Sequence, residues 1–87
     1  MKPLEVMLVT LRDSRNGTRK FSEHDAVLGV GTFLAIDVVT QQAEDLGYVE
    51  RKVHKSSRRV GVDWILVTIT SQGRQYLGRK DFNQGAS

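Results

Sequence analysis

The stretch Ala43-Glu-Asp-Leu-Gly-Tyr-Val-Glu-Arg-Lys-Val53 marks a change from helical to strand-like periodicity. Upstream, apolar residues recur at three- and four-residue steps, as on one stripe of a helix: Ile36, Val39, Ala43 and Leu46. Gly47 supplies the left-handed residue that commonly closes a helix. From Tyr48 to Val53 the residues are β-branched and aromatic with interleaved charges, which is typical of a half-buried strand. The stretch therefore predicts a helix that turns into a strand at Gly47.

The residues after this stretch predict a hairpin and a last helix. A second strand-like run, Val62 to Thr70, follows the basic connection His54-Lys-Ser-Ser-Arg-Arg59. Thr70 then caps a short helix that reaches Leu77, and we expect Gly78 to end it. Residues 80–87 have few side chains to bury and are predicted to be a flexible tail.

The N-terminal part predicts a helix and a short strand. Its apolar residues follow the i, i+3, i+4, i+7 pattern: Leu4, Met7, Leu8 and Leu11. They predict a first helix from Pro3 to about Ser14, although Val6, Val9 and Thr10 leave a strand as the alternative. Asn16-Gly17 is a turn, and Thr18 to Phe21 is long enough only for a short strand.

Two more helices are predicted between this strand and Gly47. Ser22-Glu-His-Asp25 matches a capping box, so we expect a second helix from Ser22 to about Leu28. Gly29-Val-Gly31 would be the turn, and Thr32 would cap the third helix, which ends at Leu46. Residues 1–79 are thus predicted to be one α+β domain with the element order of a winged helix-turn-helix.

Two segments resemble the winged-helix domains of MarR- and PadR-like transcriptional regulators. They are Ala43-Glu-Asp-Leu-Gly-Tyr-Val-Glu-Arg-Lys52 and Ile65-Leu-Val-Thr-Ile-Thr-Ser-Gln-Gly-Arg-Gln-Tyr-Leu77. The resemblance extends over roughly residues 22–77. It implies a regulator that binds double-stranded DNA, with its third helix in the major groove and its hairpin, the wing, on phosphates or the minor groove.

Charge is unevenly distributed along the chain. Residues 1–50 hold five Lys/Arg and eight Asp/Glu, a balance of −3, whereas residues 51–87 hold eight Lys/Arg and two Asp, a balance of +6. A cationic second half is the usual electrostatic footprint of a protein that binds a polyanion.

The predicted DNA contacts lie on the hairpin, the first strand and the third helix. The hairpin contributes a basic group to phosphates or the minor groove: Arg51, Lys52, His54, Lys55, Arg58 and Arg59. Arg19 and Lys20 extend this group, and Thr32, Gln41 and Gln42 are candidates for contacts with bases. The alternative is that the hairpin charges only prevent strand-to-strand aggregation.

The third helix has an unusual composition for a helix that reads DNA. It contains no Lys or Arg but three carboxylates, of which Asp37 is predicted to face outward. Leu34 and Val38 share that outward face, where they either pack against a neighbouring part of the chain or contact a second protomer. We expect a homodimer with this helix at or near the contact. The alternative function is a winged-helix adaptor that binds protein through this helix without binding DNA.

The sequence contains no set of residues that suggests catalysis. The chain has no cysteine and two distant histidines, His24 and His54, which form neither a metal set nor a nucleophile–base pair. We therefore expect no enzyme activity, no cofactor and no small-molecule ligand. No apolar run has membrane-spanning length and the N-terminus lacks a signal-peptide layout, so we expect a cytoplasmic, nucleoid-associated protein.

Overall fold

The computed structural model describes residues 1–55 and 61–86, with side chains described as far as Arg79. Its helices are α1 (Pro3–Arg12), α2 (Phe33–Asp45) and α3 (Ser71–Ala86). Its strands are β1 (Thr18–Ser22), β2 (Ala26–Val27), β3 (Gly31–Thr32), β4 (Val49–His54) and β5 (Trp64–Ile69). The predicted α+β class is confirmed.

Strand β5 is the centre of a three-stranded antiparallel sheet of order β1-β5-β4. Along β5, Ile65, Val67 and Ile69 are buried, whereas the residues between them are half-buried. Helices α1 and α2 pack against the buried side. Helix α1, which ends slightly before the expected Ser14, contributes fully buried side chains to this core: Met7, Leu8 and Leu11. One face of the sheet is therefore covered by helices.

Helix α2 packs through a stripe that differs from the predicted one at a single residue. Ile36, Val39 and Ala43 are buried as expected, and Thr40 is fully buried with them. Leu46 is 50% exposed, so its assignment to the core was wrong. At 100° per residue, burial of Thr40 centres the stripe so that Leu46 lies at its edge.

Gly47 closes α2 and starts the path into β4, as predicted. Its φ is +81°, and two backbone bonds complete the turn: Tyr48 N–H donates to Ala43 O and Gly47 N–H to Glu44 O, each 2.9 Å. This pair of bonds is a Schellman motif. Gly47 therefore occupies a position where a side chain would be strained.

The start of α3 is bonded to the end of α2. Thr70 N–H donates to Tyr48 O at 2.9 Å, and the Thr70 hydroxyl donates to Gly47 O at 2.7 Å. Gln72 Nε2 reaches Leu46 O at 3.4 Å. Gly73 lies so close that a Cβ there would overlap the Tyr48 carbonyl oxygen. We name this set of contacts the α2–α3 seam.

The predicted second helix is wrong. Residues 22–25 form a turn, and β2 and β3 follow as a two-stranded hairpin. The Asp25 carboxylate accepts from the Ser22 N–H at 2.7 Å, which is half of a capping box, but no helical turn follows it. Thr32 lies at the N-cap position of α2 without a side-chain cap bond, so its expected capping role is also wrong.

Helix α3 is longer than expected. It begins at Ser71 as predicted but continues through Gly78 to Ala86, so the expected end at Gly78 is wrong. Among the described residues, an added Cβ at Gly78 would meet no atom within 4 Å, so no described neighbour requires glycine there. The flexibility of residues 80–87 stays a prediction.

Candidate nucleic-acid interface

The sheet has an outer face that points away from the core. It consists of alternate residues of three strands: Thr18 to Ser22 in β1, Glu50 to His54 in β4 and Trp64 to Thr68 in β5. The side chains of this face are half-buried or exposed. Because the helices pack on the opposite side, the outer face is the surface that the sheet presents to a ligand.

Three side chains form a column across the outer face. The His54 ring stacks on Trp64, with centroids 4.9 Å apart and planes within 8° of parallel. From the other flanking strand, Lys20 places its Nζ 4.7 Å from the Trp64 ring centroid, within cation–π range. We name this group the Lys20–Trp64–His54 column. It brings together two predicted site residues, Lys20 and His54, that are 34 positions apart in sequence.

Charge along β4 changes sign towards the hairpin. Glu50 is exposed near the start of the strand, whereas Lys52, His54 and Lys55 are exposed near its end. Lys52 and His54 share the outer face because they are two residues apart on one strand. Lys55 follows directly after His54, so the three predicted DNA-binding residues form one exposed basic cluster that includes the His54 end of the column.

Arg51 lies on the other face of β4 from this cluster. Its guanidinium forms an ion pair with Asp37 of α2, and the two side chains are only 7% and 24% exposed, respectively. The Arg51 N–H also donates to Glu44 at 3.2 Å. Arg51 therefore connects the sheet to α2, and it is not among the cations that the hairpin exposes. The expectation that Asp37 faces outward is wrong for the same reason.

The remaining predicted DNA contacts are dispersed. Thr32, Gln41 and Gln42 are exposed on or beside α2, which packs against the opposite side of the sheet from the outer face. Arg19 is exposed, with its guanidinium carbon 5.4 Å from the Phe21 ring centroid. Arg58 and Arg59 lie outside the described residues.

Two apolar side chains of α2 are strongly exposed. Leu34 is 79% and Val38 is 54% exposed, and they are one helical turn apart. The expectation that both belong to the outward face is confirmed, so their packing against a neighbouring part of this chain is wrong. Whether a partner covers them stays a prediction.

The histidine chemistry of the described residues is simple. His24 is exposed, with its Nε2 3.6 Å from Glu23 Oε1. Among the described side chains, those of residues 1–55 and 61–79, no group of three or more His, Cys, Asp or Glu is placed to hold a metal ion. In the same part of the chain, every helix is too short or too polar to pass through a bilayer.

Trp64 is the residue that sequence reasoning did not single out. Its signal was present, because an aromatic residue near the start of one hairpin strand lies across from the end of the other. The register pairs Trp64 directly with His54. Two facing rings on a basic hairpin indicate a stacking surface, but only the correct register identifies them as partners.

Neither a protein-family model, nor a curated protein, nor a solved structure matches this chain, so the resemblance to MarR- and PadR-like regulators rests on the chain's own residues.

Proposed function

We propose that this chain is a winged-helix DNA-binding protein, a transcriptional regulator or nucleoprotein component of the cytoplasm and nucleoid, that contacts double-stranded DNA through its β4–β5 hairpin. The observation that carries the proposal is the exposed basic cluster at the end of β4: Lys52 and His54 on the strand and Lys55 directly after it. It leads directly into the connection that carries Arg58 and Arg59 in the sequence. Cations at the end of a hairpin can converge on phosphates.

The fold supports a winged helix in which one part is replaced. Helix α2 leads through Gly47 into the β4–β5 hairpin, and β1 completes the sheet against β5. The β2–β3 hairpin occupies the chain position where a helix-turn-helix has its second helix. In the proposed winged helix, the β4–β5 hairpin is the wing, and the β2–β3 hairpin replaces the second helix of the helix-turn-helix.

The charges of α2 favour the hairpin over this helix as the DNA contact. Helix α2 contains no Lys or Arg, and its Asp37 carboxylate is held by Arg51. A helix without cations gains little attraction from phosphates on either side of a groove. The exposed glutamines can still donate and accept hydrogen bonds, but they do not supply the electrostatic part of the affinity.

A mobility-shift titration tests the hairpin contact. Wild type and Arg58→Ala/Arg59→Ala are titrated on a mixed-sequence duplex over a series of salt concentrations. If both arginines reach phosphates, the slope of log K against log salt becomes shallower by about two units. The weakening should be similar on unrelated sequences, because phosphate contacts carry no sequence information.

A charge-matched control is available at the other end of the molecule. Arg12→Ala/Arg15→Ala removes two arginines near the start of β1, where Thr18 pairs with Thr68, which is the end of the sheet away from the hairpin connection. Both double variants have the same net charge. Equal slopes for the two variants would contradict a DNA contact at the hairpin and would indicate a diffuse charge effect.

We also propose that the chain forms a homodimer through α2. Leu34 and Val38 are 79% and 54% exposed, so burying both fully against a partner would gain about 2–4 kcal/mol in total. Closed two-fold pairing is the commonest oligomer, and it would direct two basic hairpins at one duplex. The same apolar pair supports the second candidate function, an adaptor that binds another protein through α2 without a DNA role.

Sedimentation over a range of concentrations tests the dimer. Leu34→Glu/Val38→Glu should be monomeric where wild type is dimeric. Leu28→Glu is the control, because Leu28 is even more exposed but lies on the β2–β3 hairpin. A monomeric wild type contradicts the dimer, and a dimer insensitive to both glutamates moves the interface away from α2.

A further inference from the structure

We propose that the Lys20–Trp64–His54 column binds single-stranded nucleic acid, with an unpaired base stacked on the open side of the His54 ring and the adjacent phosphates held by Lys52 and Lys55. This inference goes beyond the duplex contact above and does not depend on it. Its ligand class is an unpaired nucleotide chain, which offers a base face and phosphates together.

The column ends at an open position on the sheet edge. Trp64 lies on the central strand, with Lys20 on β1 to one side and His54 on β4 to the other. In the part of the chain that the structure describes, β4 is an edge strand with no further strand beyond it, and His54 is exposed. A flat aromatic ligand that joins the column therefore joins it at His54.

The chemistry of the column matches a base. Histidine rings and other aromatic side chains stack on unpaired bases, and this stacking tolerates any sequence because every base has a π-face. Trp64 fixes the plane of the His54 ring by parallel stacking at 4.9 Å. A ring held in place before binding loses less freedom when a base stacks on it.

Charge around the column determines the direction of the bound chain. Lys52 lies two residues before His54, about 7 Å along the strand, and Lys55 follows immediately after it. Glu50, exposed on the same face, would repel a phosphate at the other end of β4. The bound chain therefore lies along the end of β4, with its phosphates at Lys52 and Lys55, and does not extend past Lys52 to Glu50.

Protection of an edge strand explains the charges but not the rings. Lysines on β4 would discourage pairing with another strand whether or not an aromatic pair were present. The two parallel rings expose one side, and two exposed lysines lie next to them. This arrangement is typical of a stacking surface for single-stranded nucleic acid. If only charge matters, a variant that adds charge at position 54 without a ring should bind well. If stacking matters, a variant that keeps a ring without charge should bind well.

The test measures the affinity of fluorescently labelled octamers of thymidine and of uridine for the full chain at low salt. Four proteins are compared: wild type, His54→Phe, His54→Lys and His54→Ala. We expect wild type and His54→Phe to bind within about threefold of each other, and His54→Lys and His54→Ala to bind about tenfold or more weakly. Thermal melts verify that each variant is folded. Lys52→Gln gives a second variant, which should make the slope of log K against log salt shallower by about 0.7.

Trp64 is the only tryptophan of the chain, so its emission reports on this site. Octamer binding should change that emission in wild type. An unchanged emission on binding would place the ligand elsewhere and overturn the proposal. Equal affinities for His54→Lys and wild type, with weak binding by His54→Phe, would overturn it in favour of charge alone.

The outcome is separable from that of the hairpin–duplex contact. Duplex binding without octamer binding overturns the stacking site and leaves the proposed function standing. If the protein does not bind duplex but binds octamers with an affinity that depends on a ring at position 54, the stacking site is supported and the proposed function is contradicted. The same order of variants with the uridine and the thymidine octamers supports the site, because both strands offer base faces and phosphates.

Discussion

Replacing Asp37 with alanine removes the carboxylate that faces the Arg51 guanidinium between α2 and β4. The two side chains are 24% and 7% exposed, and the Arg51 Nε is buried without a hydrogen-bond partner among the described residues. Removing one partner costs about 3–5 kcal/mol for a buried ion pair. An exposed pair contributes about 0.2–1 kcal/mol. Since Arg51 is buried and Asp37 is partly solvated, we expect Asp37→Ala to lower the free energy of unfolding by about 2–3 kcal/mol.

Urea unfolding of a double-mutant cycle measures this value. The four proteins are wild type, Asp37→Ala, Arg51→Met and the double variant, which removes both charges and leaves none unpaired. We expect the double variant to be more stable than the sum of the single losses implies, by at least about 1 kcal/mol. Asp45→Ala is the charge-matched control on an exposed position of the same helix, expected within about 0.5 kcal/mol of wild type. Strict additivity, or an Asp37→Ala loss no larger than that of Asp45→Ala, would refute the assigned role of the pair.

Four further variants test stability and are checked by thermal and urea unfolding. Gly47→Val should lose about 1–2 kcal/mol, because φ is +81° there; melting within a degree or two of wild type would contradict this. Gly73→Ala should lose about 1–3 kcal/mol, because its Cβ overlaps the Tyr48 carbonyl oxygen. Gly78→Ala, in open space on the same helix, should instead gain about 0.5–1 kcal/mol, and equal signs for the two variants would contradict the contact at Gly73. Leu46→Gln should change stability by less than about 0.5 kcal/mol, and a larger loss would return Leu46 to the core.

The parts of the fold that the sequence predicts well are those with short-range signals. The helical stripe ending at Gly47 and the alternation that follows need only neighbouring residues to be recognised. The change of period therefore located the end of α2 and the start of β4 to within one or two residues. The periodicity of α1 was equally local.

The second helix failed because its signal was also satisfied by a different local structure. Ser22 and Asp25 form the expected hydrogen bond, but that bond closes a turn as readily as it starts a helix. Only a few residues separate Asp25 from Gly29, and a helix so short does not offset its nucleation. The glycines at 29 and 31, with φ of +91° and +129°, instead suit the β2–β3 hairpin.

The sequence predicted which residues of β4 are cationic, but it did not predict which of them lie on each face of the sheet. Alternation separates Arg51 from Lys52 and His54, yet the sequence alone does not say which set faces the helices. The Asp37 partner of Arg51 is 14 residues away and on another element, so their pairing depends on how α2 packs. Trp64 has the same limitation, since its contact with His54 depends on the hairpin register.

The α2–α3 seam has a consequence for the order in which the chain acquires its structure. The Schellman turn at Gly47 uses neighbouring residues and can form as soon as α2 does. The donors to Leu46, Gly47 and Tyr48 carbonyls come from Thr70 and Gln72, more than twenty residues later in the chain. These bonds require the intervening hairpin to close first, and closing that loop carries an entropic penalty before any contact rewards it. A chain that ends before Thr70 therefore lacks these donors, and we expect the α2–α3 seam to close only after β4 and β5 have paired.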